Sequence, residues 1–184
     1  FVSVRANAMT DLFCREGIAR AGRSLAAAYR DGSQTVVRRE MSYASLLGGL
    51  ALANAGLGAV HGFAGVLGGM YRASHGAICA RLLPVVIETN AAVIQGRGMD
   101  ADRLARFDEV ARLATGRADA TVGRLVKWLE ELCAAMHIPR LRDLGVLEGD
   151  FEQIAAQASL ASSMKANPVV LERDRLREIL AQAW

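Results

Sequence analysis

Two of the chain's three histidines, His61 and His75, stand fourteen residues apart in a stretch rich in glycine and apolar residues. Neutral imidazole is a good ligand for Fe(II), Zn(II) and related ions. A catalytic site commonly takes several protein ligands and leaves one position for substrate. The two are too far apart for one helical face at i, i+4. They converge only if the chain folds back between them, for which Gly68-Gly69 is the expected turn. On spacing alone, capping or core roles for both are more common than ligation. The third, His137, precedes Ile138-Pro139 at an expected helix end, where an imidazole suits the helix dipole.

The elements that must carry these residues read as helices. With 52% apolar residues, 22% charged residues and three prolines in 184 residues, the chain is globular and favours helix over sheet. Helices are expected over 10–30, capped by Thr10 or Asp11, and over 35–54. The apolar second half of 35–54 should be buried on most sides. A short helix, 60–71, carries His61, and a longer one, 75–95, opens at Ser74. Pro84 should kink or interrupt that one. A buried strand at 85–87 is an alternative that the flanking periodicity disfavours. Further helices are expected over 102–115, 119–137, 151–158 and 172–184. No strand alternates with helix, so a doubly wound sheet is excluded. The expected fold is one all-α, bundle-like domain over residues 1–184.

The formal charge is +3. The arginines are dispersed among acids, as at 100–109 and 171–178, and read as solvated helix faces rather than a nucleic-acid surface. Cys14, Cys79 and Cys133 form no CxxC pair and read as packed thiols in a reducing, cytoplasmic compartment. Cys79 lies one turn after His75, where it could line the site. The longest uncharged run, 46–71, is broken by Asn54, His61 and glycines and is not expected to span a membrane. The glycines at 56, 58, 62, 65, 68 and 69 follow no strand, so they make no dinucleotide fingerprint. They are expected to allow close helix packing and turns. Trp128 and Trp184 read as core or interface residues.

Residues 54–90 also carry a longer pattern: Asn54-Ala-Gly-Leu-Gly58, His61, Leu67-Gly68-Gly69, His75-Gly76, Leu82-Leu83-Pro84 and Asn90, in that order. It resembles the helical-domain signature of the iron-containing (group III) alcohol dehydrogenases. The likeness extends to residues 2–11, to 138–146, and to Asn167-Pro168 with the closing Ala181-Gln182-Ala183-Trp184. In that family an N-terminal α/β domain binds NAD(P), and a helical domain holds a metal bound by one Asp and three His. The resemblance implies that His61 is the third ligand and His75 the fourth. The Asp and first His, with the nucleotide-binding domain, would precede Phe1.

Fe2+ is the first expectation for the metal and Zn2+ the second, with NAD or NADP held mainly by the absent domain. The implied reaction is hydride transfer between a small alcohol or aldehyde and nicotinamide. The implied partners are the chain's own N-terminal domain and a second copy. No catalytic or cofactor-binding residue is assigned beyond the two ligands. Many members carry a further His four residues after the third ligand, where this chain has Gly65, so a roomier cavity is expected there. That difference keeps a maleylacetate reductase-like activity as an alternative, and the missing ligands with the all-α pattern keep a non-enzymatic helical interaction module as another. Two imidazoles alone should hold metal weakly, so the chain by itself is expected to be inactive and metal-free.

Overall fold

The computed structural model describes residues 1–98 and 101–184. The first residue of the charged run at 100–109 lies outside them. Among the described residues there are eight α-helices and no strand: α1 (Ala8–Arg30), α2 (Thr35–Ala55), α3 (Ala59–Met70), α4 (His75–Gly96), α5 (Ala101–Thr115), α6 (Val122–Ala135), α7 (Phe151–Leu160) and α8 (Arg173–Ala183). Three single 3-10 turns lie between α6 and α8.

The main core is built from α3, α4, α7 and α8, with Phe107 of α5. Ala59, Phe63 and Leu67 form an i, i+4, i+8 stripe on α3, and all three are buried. Full burial of a Phe or Leu contributes about 1.5–3 kcal/mol. This matters because α3 is a poor helix by composition, with Gly62, Gly65, Gly68 and Gly69 each disfavouring helix by about 1 kcal/mol relative to alanine. Packing, not propensity, holds it. Gly62 allows close approach, since a Cβ there would stand 2.9 Å from Met164 Cε. The expected glycine turn at 68–69 is absent: both residues are inside α3, and the chain reverses at 71–74 instead. Tyr71 anchors that reversal, its hydroxyl donating to Asp150 Oδ2 at 2.5 Å.

α1 and α2 form a hairpin whose α1 side meets α5. The contact with α5 is backbone against backbone, since a Cβ on Gly22 would lie 2.1 Å from the Ala114 carbonyl oxygen. Asp11 adds a charged clamp: Arg106 donates through Nη1 to Oδ2 at 2.9 Å and through Nη2 to Oδ1 at 2.6 Å. The expected burial of α2 is not found. Only Leu47, Ala51 and Ala55 are buried, while Tyr43, Leu46, Leu50 and Leu52 are exposed. The reason is that α2 packs chiefly on α1, so one stripe is covered and the opposite apolar face is left open.

Arg106 beside Asp11 holds that carboxyl below its ordinary 3.8, against the opposing effect of burial. A depressed folded-state pKa contributes stability that is present above 3.8 and lost as pH falls through the folded value. Denaturant melts should therefore show Asp11→Asn weaker at neutral pH by about 2 kcal/mol, between an exposed and a fully buried pair. They should also show a shallower loss of stability in acid than the parent. Equal acid slopes in the two proteins would contradict this.

Several helix ends differ from expectation. The cap of α1 is Asn7, not Thr10 or Asp11: its side chain accepts from Met9 N and Thr10 N, and Thr10 Oγ1 accepts from Asn7 N in return. α6 begins at Val122 rather than 119, because Asp108 of α5 accepts from Val122 N at 2.8 Å and fixes the start from outside. Pro84 does not break α4, which runs through it and leaves no strand at 85–87. A proline removes the hydrogen bond to the carbonyl four residues back. Here that carbonyl, on Ala80, accepts from the Cys133 thiol at 3.4 Å instead.

His137 closes α6 in the left-handed region, at φ 53°, with Ile138 N donating to Cys133 O at 2.9 Å. It therefore acts as a cap through its backbone, where glycine is the favoured residue. His137→Gly should raise stability by about 0.5–1 kcal/mol by relieving that conformation. Differential scanning calorimetry would show a higher Tm, and a lower one would contradict the strain.

α4 is long and apolar enough to cross a membrane by length and composition. Its apolar stripe, Ile78, Leu82, Val86 and Ile94, lies in the core.

Candidate metal centre

His61 is the third residue of α3 and His75 the first of α4, so the 71–74 reversal decides whether they meet. They do. The ring centroids are 5.4 Å apart at an interplanar angle of 52°. Cys79, one turn into α4 on the His75 face, joins them. Its Sγ is 3.5 Å from His75 Nε2 and 4.0 Å from His61 Nε2. The three donor atoms lie within 4.8 Å of one another. His137 stands elsewhere, at the end of α6.

The start of α3 is fixed by a polar pair that the sequence did not reveal. Gly58 precedes α3 and offers no side-chain cap. Asn167, remote in sequence, accepts from Ala59 N at 3.0 Å in its place. Its amide donates to Asn90 Oδ1 at 2.8 Å and to Val169 O at 2.7 Å, and Asn90 donates back at 3.3 Å. Both side chains are buried. This pair ties the N-terminus of α3, two residues before His61, to the middle of α4. A turn at 167–168 was legible in the sequence, but the partner in α3 was not.

His61 is half-buried and His75 exposed. Burial first, and then the positive charge that His75 can carry, hold His61 below the usual 6.5. Its ring is thus neutral at neutral pH, the form that binds a cation. Burial raises the Cys79 thiol above its ordinary value.

His61 and Cys79 line a cavity of about 370 Å³ whose other walls include Leu83, Ile87, Phe107, Asn90 and Asn167. The space is mostly apolar and suits a small organic molecule. A larger depression of about 770 Å³ between α4 and α8 contains none of the three donors and is lined by exposed charges such as Glu88 and Glu172. Size alone would favour it, but His61 and Cys79 line the smaller one. A Cβ on Gly65 would meet nothing within 4 Å, so α3 is open at that position. The same holds at Gly68 and Gly69, whereas Gly56, Gly58 and Gly62 in the same stretch are in close contact.

The model for the Fe-containing alcohol dehydrogenase family, C-terminal, matches residues 1–184. Alcohol dehydrogenase 4 of Saccharomyces cerevisiae is 36% identical over 185 residues, covering 100% of this chain and 46% of that protein. The 1,3-propanediol dehydrogenase of Citrobacter freundii is 35% identical over 195 residues, covering 100% of this chain and 47% of its own length. Among solved structures, a 1,3-propanediol oxidoreductase superposes with a TM-score of 0.90 at 33% identity, covering 100% of this chain and 47% of the other. The maleylacetate reductase of Agrobacterium tumefaciens shares the fold, with a TM-score of 0.78 at 22% identity over 99% of this chain and 47% of the other. The chain spans about half the length of the relatives it matches.

Proposed function

Because this chain belongs to the Fe-containing alcohol dehydrogenase family, we propose that it is the metal-holding helical part of a nicotinamide-dependent alcohol dehydrogenase or carbonyl reductase. The observation that carries this reading is the meeting of the His61 and His75 rings. A divalent cation, Fe2+ first and Zn2+ second, fits the donor set by its chemistry: two imidazoles, one of them held neutral, around a common point. When bound, such an ion supplies Lewis-acid polarisation of an alcohol or carbonyl oxygen.

The chain's own residues do the rest. His61 and His75 would hold the ion, His61 from the cavity's own edge, and the apolar Ile87 and Phe107 would keep water from the substrate's carbon end. The Asn90–Asn167 pair keeps α3 in register with α4, so the rings stay convergent. Nicotinamide, NAD or NADP, would be held mainly by residues outside this chain and would accept or return the hydride. A cytoplasmic location and self-association belong to the same reading, the latter supported by the uncovered apolar face of α2.

The test uses the full-length gene product that carries this chain, stripped of metal and assayed with NADH and NADPH against short aldehydes. Activity restored by Fe2+ or Zn2+ is the expected result. Turnover indifferent to added metal would replace this reading with a maleylacetate reductase-like one. No nicotinamide turnover under any condition would favour a non-enzymatic module.

A further inference from the structure

We propose that Cys79 is a third protein donor to the cation, so that this chain supplies a His2Cys set rather than two imidazoles. The inference rests on the metal reading above and changes what that site selects. Residues four apart on a helix share a face, and His75 and Cys79 have that spacing in the first turns of α4. A tetrahedral ion about 2.3 Å from sulfur and about 2.0–2.1 Å from nitrogen separates those two donors by about 3.5 Å. Cys79 Sγ lies 3.5 Å from His75 Nε2 and 4.0 Å from His61 Nε2, so small ring rotations bring all three to bonding range.

The other two thiols are placed differently. Cys133 donates to the Ala80 carbonyl, and Cys14 is on α1. On binding, the Cys79 S–H bond breaks, its proton leaves to solvent, and a sulfur lone pair forms the bond to the cation. No oxidant or reductant is required. A thiolate in the set shifts preference toward borderline-soft ions, Zn2+ and Co2+, and away from oxygen-preferring ones such as Mg2+. The site then holds metal with donors from this chain alone, contrary to the weak binding that a pair of imidazoles implies.

Cobalt(II) titrated into the protein reads the donor set by electronic absorption. The parent should show visible ligand-field bands together with a near-ultraviolet thiolate-to-cobalt charge-transfer band. Cys79→Ser should lose the charge-transfer band, keep the visible bands, and bind cobalt about tenfold or more weakly, since even losing a group that merely supports a ligand costs that much. Cys133→Ser and Cys14→Ser should keep both features. Cys79→Ala, with helicity checked by circular dichroism, guards against misfolding of the serine variant. Visible bands without a charge-transfer band in the parent would overturn the role of Cys79 while leaving the imidazole pair. A charge-transfer band that survives Cys79→Ser would overturn it as well. Absence of any cobalt spectrum would likewise overturn the three-donor set, since two imidazoles alone hold metal weakly, while the metal reading stands or falls on the activity test above.

Discussion

On the proposed function, His75→Ala in the full-length gene product is expected to lower nicotinamide-linked kcat/KM by about a thousandfold or more, because several kcal/mol of Lewis-acid stabilisation would depend on holding the ion. The imidazole is exposed at the first residue of α4 and takes no part in the core, so the variant should fold like the parent. That separates loss of chemistry from loss of structure. His61→Ala should be as severe in turnover but also weaken α3, since His61 is half-buried against Cys79 and the cavity wall. Added Fe2+ or Zn2+ at high concentration should recover part of the His75→Ala activity if one ring and the thiol remain. Nicotinamide-linked turnover measured with and without metal decides it. A His75→Ala enzyme of normal activity would contradict the role assigned here.

Asn167→Ala is expected to cost about 3 kcal/mol, because it leaves Ala59 N, the Asn90 amide and Val169 O without their partner in a buried place. For a chain of this size that corresponds to a fall in Tm of about 10 °C. The loss should reach the metal centre too. With its N-terminus uncapped, α3 is free to shift along α4, and the His61 ring moves relative to His75. Metal affinity should therefore drop in Asn167→Ala although Asn167 touches none of the three donors. Thermal melts with and without Zn2+ would show both effects. A variant that melts like the parent would show that the amide pair holds nothing together.

The helices themselves were legible because apolar periodicity and turn residues are local signals. What failed were features set by distant neighbours. The burial of α2 could not be read from its composition, since a helix that is apolar all round is buried only where another element covers it. Leu46 and Leu50 are exposed because α2 packs chiefly against α1. Pro84 reads as a break in isolation, and the Cys133 thiol that satisfies the Ala80 carbonyl comes from another helix. The start of α6 is set by Asp108, fourteen residues upstream.

The site was half legible. His61 and His75 stood out by rarity and by the pattern around them, and the structure brings them together through a reversal at 71–74 rather than at the glycines. Cys79 was visible as a residue one turn past His75, but helical spacing also describes a packed thiol. Only the position of the second imidazole distinguishes the two. Asn167 carried no signal of its role, because its partner in α3 lies 108 residues away.

Anomalous diffraction at the zinc edge, from crystals of the protein grown with Zn2+, tests the account where it is most exposed. One strong peak should stand between α3 and α4, at about 2.0–2.1 Å from a ring nitrogen of both His61 and His75. A peak bonded to only one of those rings, or density for zinc at other places alone, would contradict it.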